Sequence, residues 1–184
     1  MKIEKYGFLF LLLGLFLSSC KEVSFKEPQP AGVFGLKSIP EKLLGSYLAG
    51  DKANKEDTDT LIIESRGYHF KDKDDKDWLG RGTLSDSLVI KYYQGYYFVN
   101  FRSDNQWVLR LIKQKANGAL EFLSIDIQDD AKRKEILRKM SRKFKVTEVK
   151  KESDTFYQIN PTKEQLLQLI QEGYFTGVEL AKIK

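Results

Sequence analysis

Residue types that carry chemistry are scarce in this 184-residue chain, which has one histidine, His69, and one cysteine, Cys20. A histidine acting as a base or a metal ligand needs partners, and spacing sets no second histidine, cysteine or acid beside His69. In "GYHF" it reads as a strand histidine at a surface. Triads assemble across a fold, so spacing alone does not exclude one, but no "GxSxG" nucleophile turn is present. Asp72, Asp74, Asp75 and Asp77 in "KDKDDKDW" supply carboxylates of the kind calcium takes. Lys71, Lys73 and Lys76 alternate with them and cancel much of the field a divalent ion needs. The glycine and terminal glutamate of an EF-hand loop are also missing, so a solvated hairpin loop is expected. No catalytic residue, metal site or cofactor is assigned.

The best binding candidate is aromatic. Tyr92, Tyr93, Tyr96 and Tyr97 crowd one short stretch, "YYQGYYFVNF", with Trp78 nearby in sequence. Flat amphipathic rings suit sugar or peptide recognition. The competing reading is a set of cross-strand ladders that only stabilise a sheet. Alternation puts aromatics on both faces, so one face must be core. A second candidate is the basic segment with Lys132, Arg133, Lys134, Arg138, Lys139, Arg142 and Lys143, which suits anionic headgroups or is simply a solvated face.

These side chains must be positioned by a mostly β domain. "TLIIESRGYHF" and "SLVIKYY" are rich in β-branched and aromatic residues. Gln94-Gly95 predicts a two-residue turn that pairs Tyr93 with Tyr96, Tyr92 with Tyr97 and Ile90 with Val99. Around Asn117-Gly118, a two-residue loop mixes the faces of the flanking strands. A three-residue loop, Ala116-Asn117-Gly118 with Gly118 left-handed, puts Trp107, Leu109 and Leu111 on one face with Leu123, Ile125 and Ile127. A helix is expected over 129–145, with acids at its start and an apolar stripe of Ile136, Leu137, Met140 and Phe144. Strands follow in "KVTEV" and "TFYQI". Thr162 with Gln165 forms a capping box for a second helix ending at Gly173, and "GVELAKI" closes the chain as a strand.

The amino terminus has the parts of an export signal. Lys2 and Lys5 precede an uninterrupted run of 11 apolar residues, Gly7 to Leu17. As a helix that run reaches about 16 Å, half of a hydrocarbon core, too short to span and the right length for a signal peptide. "LSSC", ending at Cys20, resembles the bacterial lipoprotein lipobox. The resemblance implies a diacylglyceryl thioether on Cys20, cleavage before it, and acylation of the new amino terminus. Two or three chains, at roughly 0.8 kcal/mol per buried methylene, make such an anchor effectively permanent. With Cys20 modified, no thiol is left for catalysis or a disulfide. Lys21 follows Cys20 where an Asp would resemble the inner-membrane retention signal of enterobacterial lipoproteins, and its absence favours the outer membrane. "CKE" resembles the Lys-plus-acidic surface-export signals of Bacteroidota lipoproteins, with Val23 interrupting the acidic run, and the whole chain resembles small lipoproteins of that group.

The expected organisation is a signal peptide over 1–19, a lipidated Cys20 with a Pro/Gly-rich flexible tether over 20–38, and one globular domain over 39–184. Val33, Phe34, Leu36 and Ile39 are apolar enough to dock onto that domain. The fold expected is α+β: a mainly antiparallel sheet with two helices in the carboxyl-terminal half. "LLGSY" at 43–47 resembles the Gly-x-Trp opening of lipocalin-like barrels, with Tyr47 in place of tryptophan. That resemblance implies a partly closed barrel, set beside an open sheet with packed helices. A net charge of +5 is too mild for a nucleic-acid binder. The function expected is a non-enzymatic binding or scaffolding module of the cell envelope, lipid-anchored at the periplasmic or surface side, with an envelope protein or carbohydrate as partner. The alternatives are a lipocalin-like carrier of a small apolar ligand and a hydrolase with an unrecognised site.

Overall fold

The computed structural model describes residues 21–49, 59–71, 80–152 and 154–183. Twelve strands are described: β1 (Lys21–Phe25), β2 (Gly45–Ala49), β3 (Asp59–Glu64), β4 (Gly67–Lys71), β5 (Arg81–Thr83), β6 (Leu88–Tyr93), β7 (Tyr96–Ser103), β8 (Gln106–Gln114), β9 (Leu120–Ser124), β10 (Thr147–Lys151), β11 (Asp154–Ile159) and β12 (Thr176–Lys182). Helices α1 (Asp130–Met140) and α2 (Lys163–Gln171) join them in the carboxyl-terminal half. The fold is α+β, as expected. It is one large mixed sheet, antiparallel except where β1 runs parallel to β11. The sheet does not close into a barrel: β5 pairs with β4 and β6 with β7, and among the described residues no ladder joins β5 to β6.

The sheet forks at β8. One edge of β8 pairs with β7 from Gln106 to Ile112. The other edge is shared, because β1 takes Trp107 and Val108 while β9 takes Leu111 to Gln114. Along one branch the order is β8-β9-β12-β2-β3-β4-β5, and along the other β8-β1-β11-β10.

Two cores lie on opposite faces of β7 and β8. The first holds Tyr47, Leu61, Ile63, Ile90, Tyr97, Val99 and Leu180 among others, inside the curl of the first branch. The second holds Val23, Phe25, Phe98, Leu109, Leu111 and Ile159, covered by Met140 of α1 and by Leu166 and Leu169 of α2. Neighbours Phe98 and Val99 thus face different cores. A strand buried on both faces loses the apolar–polar alternation, which is why "YYFVNF" reads as an apolar and aromatic run broken only by Asn100.

Both hairpin registers follow the turn chemistry. Gln94 (φ 50°) and Gly95 (φ 84°) form the two-residue turn, pairing Tyr93 with Tyr96, Tyr92 with Tyr97 and Ile90 with Val99. Gly118 is left-handed at φ 84°, and the Ala116–Gly118 loop sets Leu111 opposite Leu123. Asp129 caps α1 by accepting from the Lys132 amide, and Thr162 and Gln165 close the capping box on α2. α1 stops at Met140, short of 145, and Arg133 is buried within it.

The expected tether is corrected. Residues 21–25 are not a flexible spacer but β1, held between β11 and β8 with Val23, Ser24 and Phe25 buried. Alternate apolar residues there fill the second core, and partners on both sides satisfy the backbone. The next stretch is also fixed. Lys91 Nζ donates to the Pro28 and Pro30 carbonyls at 2.6 and 3.0 Å. The Asn100 amide accepts from the Gln29 backbone N–H at 2.6 Å and donates to the Gln29 carbonyl at 2.8 Å. The segment then runs as a strap, with Leu36 N–H bonded to the Ile90 carbonyl and Ile39 N–H to the Ser65 carbonyl. It covers the outer edge of β6, which would otherwise invite pairing with another chain. Ile39 docks in the first core and Val33 and Leu36 are half-buried, but Phe34 is 93% exposed and does not dock.

Candidate functional site

The β6–β7 hairpin splits the tyrosine cluster. Paired residues share a face, so Tyr92 and Tyr97 lie on the face of the first core, into which Tyr97 packs, while Tyr93 and Tyr96 pack on the helical side. Tyr97 is only 3% exposed, and Tyr92 is 46% exposed at the rim beside it. Their ring centroids lie 4.8 Å apart. Tyr93 and Tyr96 are half-buried, under the ammonium groups of Lys163 (5.8 Å) and Lys113 (5.4 Å). The four rings therefore make no single flat platform. Trp78, Cys20 and the carboxylates Asp72, Asp74, Asp75 and Asp77 lie outside the described residues.

What the first core does contain is a cavity of about 230 Å³. Its wall is apolar side chains from six strands and the strap, including Leu61, Ile63, Ile90, Val99 and Ile112, with Tyr97 among them. Ile39 and Leu43 bring the strap into the lining. Tyr68, Phe70 and Phe122 are the half-buried members of the wall. An apolar cavity of this size is larger than the roughly 150 Å³ known to take benzene and smaller than the roughly 300–1,000 Å³ of drug-sized sites.

The end near Tyr97 is built by the 3-10 helix Glu41–Leu43. Tyr47 is fully buried and donates its hydroxyl to the Leu43 carbonyl at 2.9 Å, and burial pushes its phenol above the ordinary range. Gln114 Nε2 donates to the Lys42 carbonyl at 2.6 Å. These bonds hold Lys42 with its ammonium 5.5 and 5.6 Å from the Tyr97 and Tyr92 ring centroids. The Tyr97 hydroxyl raises the Lys42 ammonium above its usual value.

His69 is half-buried on β4, opposite Ile62 and Arg81, and no group of three metal-ligating side chains occurs among the described residues. The basic segment is partly neutralised. Lys132 pairs with Asp126 at 2.7 Å, Lys139 with Glu135 at 2.6 Å and Lys143 with Glu172 at 2.5 Å, and each lysine lowers its partner's carboxyl. Arg133 is drawn inward, donating to Asp130 and to the Ile127 and Gln128 carbonyls. Lys134, Arg138 and Arg142 stay exposed.

Two polar groups escaped sequence reasoning. Glu22 and Arg110 form a buried two-pronged pair at the fork, with Nη2 to Oε1 at 2.6 Å and Nη1 to Oε2 at 3.2 Å. Arg110 also donates to the Leu109 carbonyl at 3.1 Å. The Lys91–Asn100–Gln29 clamp is the other, and burial lowers the Lys91 ammonium below its usual value. Both join residues more than 60 positions apart, so no local pattern announces them. Comparison with protein-family models, curated proteins and solved structures found no match to this chain.

Proposed function

We propose that the protein is a lipid-anchored binding module of the cell envelope, attached through Cys20, and that its ligand is a small apolar molecule held in the first core. The observation that carries the binding part is the apolar cavity of about 230 Å³. A folded interior is normally packed to crystal density with few voids larger than a water. An apolar pocket of this size gains from any ligand that restores the missing contacts. The volume suits a substituted ring or a short alkyl chain. The tyrosine hairpin acts here as a wall rather than as a sugar platform, because Tyr97 lines the cavity and only Tyr92 stands at the rim. The outer membrane remains the proposed address, from Lys21 after the lipobox.

Calorimetric titration of residues 20–184 carrying Cys20→Ser, with short-chain alcohols and alkylbenzenes, tests the reading. Val99→Phe places a larger side chain in the cavity and is expected to weaken binding at least tenfold while keeping the native circular dichroism. Absence of heat with every ligand in the natural sequence would remove the cavity from the functional account.

A further inference from the structure

Acylation of Cys20, on which this inference rests, has a consequence for how the domain sits. Lys21, the next residue, is already the first residue of β1 and is in register with Thr155 of β11. By Phe25 the strand is also paired with β8. No spacer therefore separates an anchor at Cys20 from the sheet, and consecutive Cα atoms are only about 3.8 Å apart. The start of α1 is tied to the same point. Gln128 Nε2 donates to the Lys21 carbonyl at 2.7 Å, and Lys21 Nζ meets Asp130 Oδ1 at 3.4 Å.

α1 buries Met140 and Arg133 and turns its other side outward. Ala131, Lys134, Glu135 and Arg138 are exposed at one-face helical spacing, and Arg142 is exposed just beyond the last turn. On that outward side Lys134 and Arg138, with Arg142 just beyond, stand against Glu135, which pairs with Lys139. Such charge acts on a lipid surface only within a screening length of about 8–10 Å, and an anchor one residue from the fold imposes that closeness. We infer that the face formed by Lys21 and the outer stripe of α1 is a membrane-contact surface lying on anionic phospholipid headgroups. The acyl chains hold the domain there, the missing spacer restricts its tilt, and Lys134 and Arg138 set which side faces down.

The chain has one cysteine, blocked once acylated, so a single substitution supplies a labelling site. The acylated full protein is placed in nanodiscs of phosphatidylglycerol and phosphatidylcholine with acceptor-labelled headgroups. A donor dye goes either on Ala131→Cys or on Asp86→Cys, in the exposed β5–β6 turn beside the first core. Energy transfer from position 131 is expected to be at least twice that from position 86. Inserting ten Gly/Ser residues between Cys20 and Lys21, together with Lys134→Glu and Arg138→Glu, is expected to abolish the difference. Equal transfer from both positions at natural spacing, with acylation of Cys20 verified by mass, overturns this inference and leaves the anchoring intact. A mass showing unmodified Cys20 overturns the anchoring itself, and this inference with it, without touching the cavity.

Discussion

The Glu22–Arg110 pair shows what a single buried contact does in this fold. It lies where β8 passes from one partner strand to another, and two-pronged geometry satisfies both carboxylate oxygens. Removing one member leaves the other charge buried and unpaired, which costs about 3–5 kcal/mol. Arg110→Ala is therefore expected to lower unfolding stability by that amount in urea titration. The double variant Glu22→Met/Arg110→Met is expected to recover most of the loss. Lys91 behaves differently because burial acts on the charged form. Its ammonium is lowered from an ordinary value of about 10.5, so the unfolded chain holds the extra proton between the lowered value and 10.5. Stability rises with pH wherever the unfolded state binds more protons. The natural chain should therefore gain stability relative to Lys91→Met as pH rises from 7 toward 10. A difference in melting temperature that shrinks over that range would contradict the assignment.

Among the elements, β1 carries the largest consequence. Phe25 is almost completely buried in the second core, and Phe25→Ala is expected to cost about 3–5 kcal/mol. Thr162→Ala removes only a cap and is expected to cost about 1 kcal/mol. Chemical denaturation of the two variants side by side checks the ranking, and a flexible tether at residues 21–25 would reverse it. The same contrast explains what the amino-acid pattern revealed. Turns and caps are local, so Gln94-Gly95, Gly118 and the Thr162 box were legible, and with them the registers of β6–β7 and β8–β9. β1 was not. "KEVSF" is short, prolines follow it, and its partners lie at 107–108 and 155–159, far along the chain. Phe34 misled for a related reason: hydrophobicity marks a side chain that can be buried, while the strap fixes only Leu36 and Ile39 by hydrogen bonds. The cavity was equally hidden, since its wall is assembled from the inner faces of many strands. The tyrosines were found as a group, but only the hairpin register shows which of them face the first core.

At the scale of the whole molecule, one sheet serves two different cores. The face under α1 and α2 holds Phe98, Leu109 and Leu111, all nearly inaccessible, and acts as the structural half. The curled face encloses the apolar cavity and is bounded by the strap and by Tyr97. On this account ligand enters the first core and the second core stays as it is. Methyl-selective NMR during titration with a short-chain alkylbenzene tests that division directly. Resonances of Ile39, Ile63, Ile90 and Ile112, which line the cavity, are predicted to shift with saturation, while those of Ile125, Ile127 and Ile159 in the second core stay still. Shifts confined to the second core, or no saturable shift in the first, would contradict the central claim.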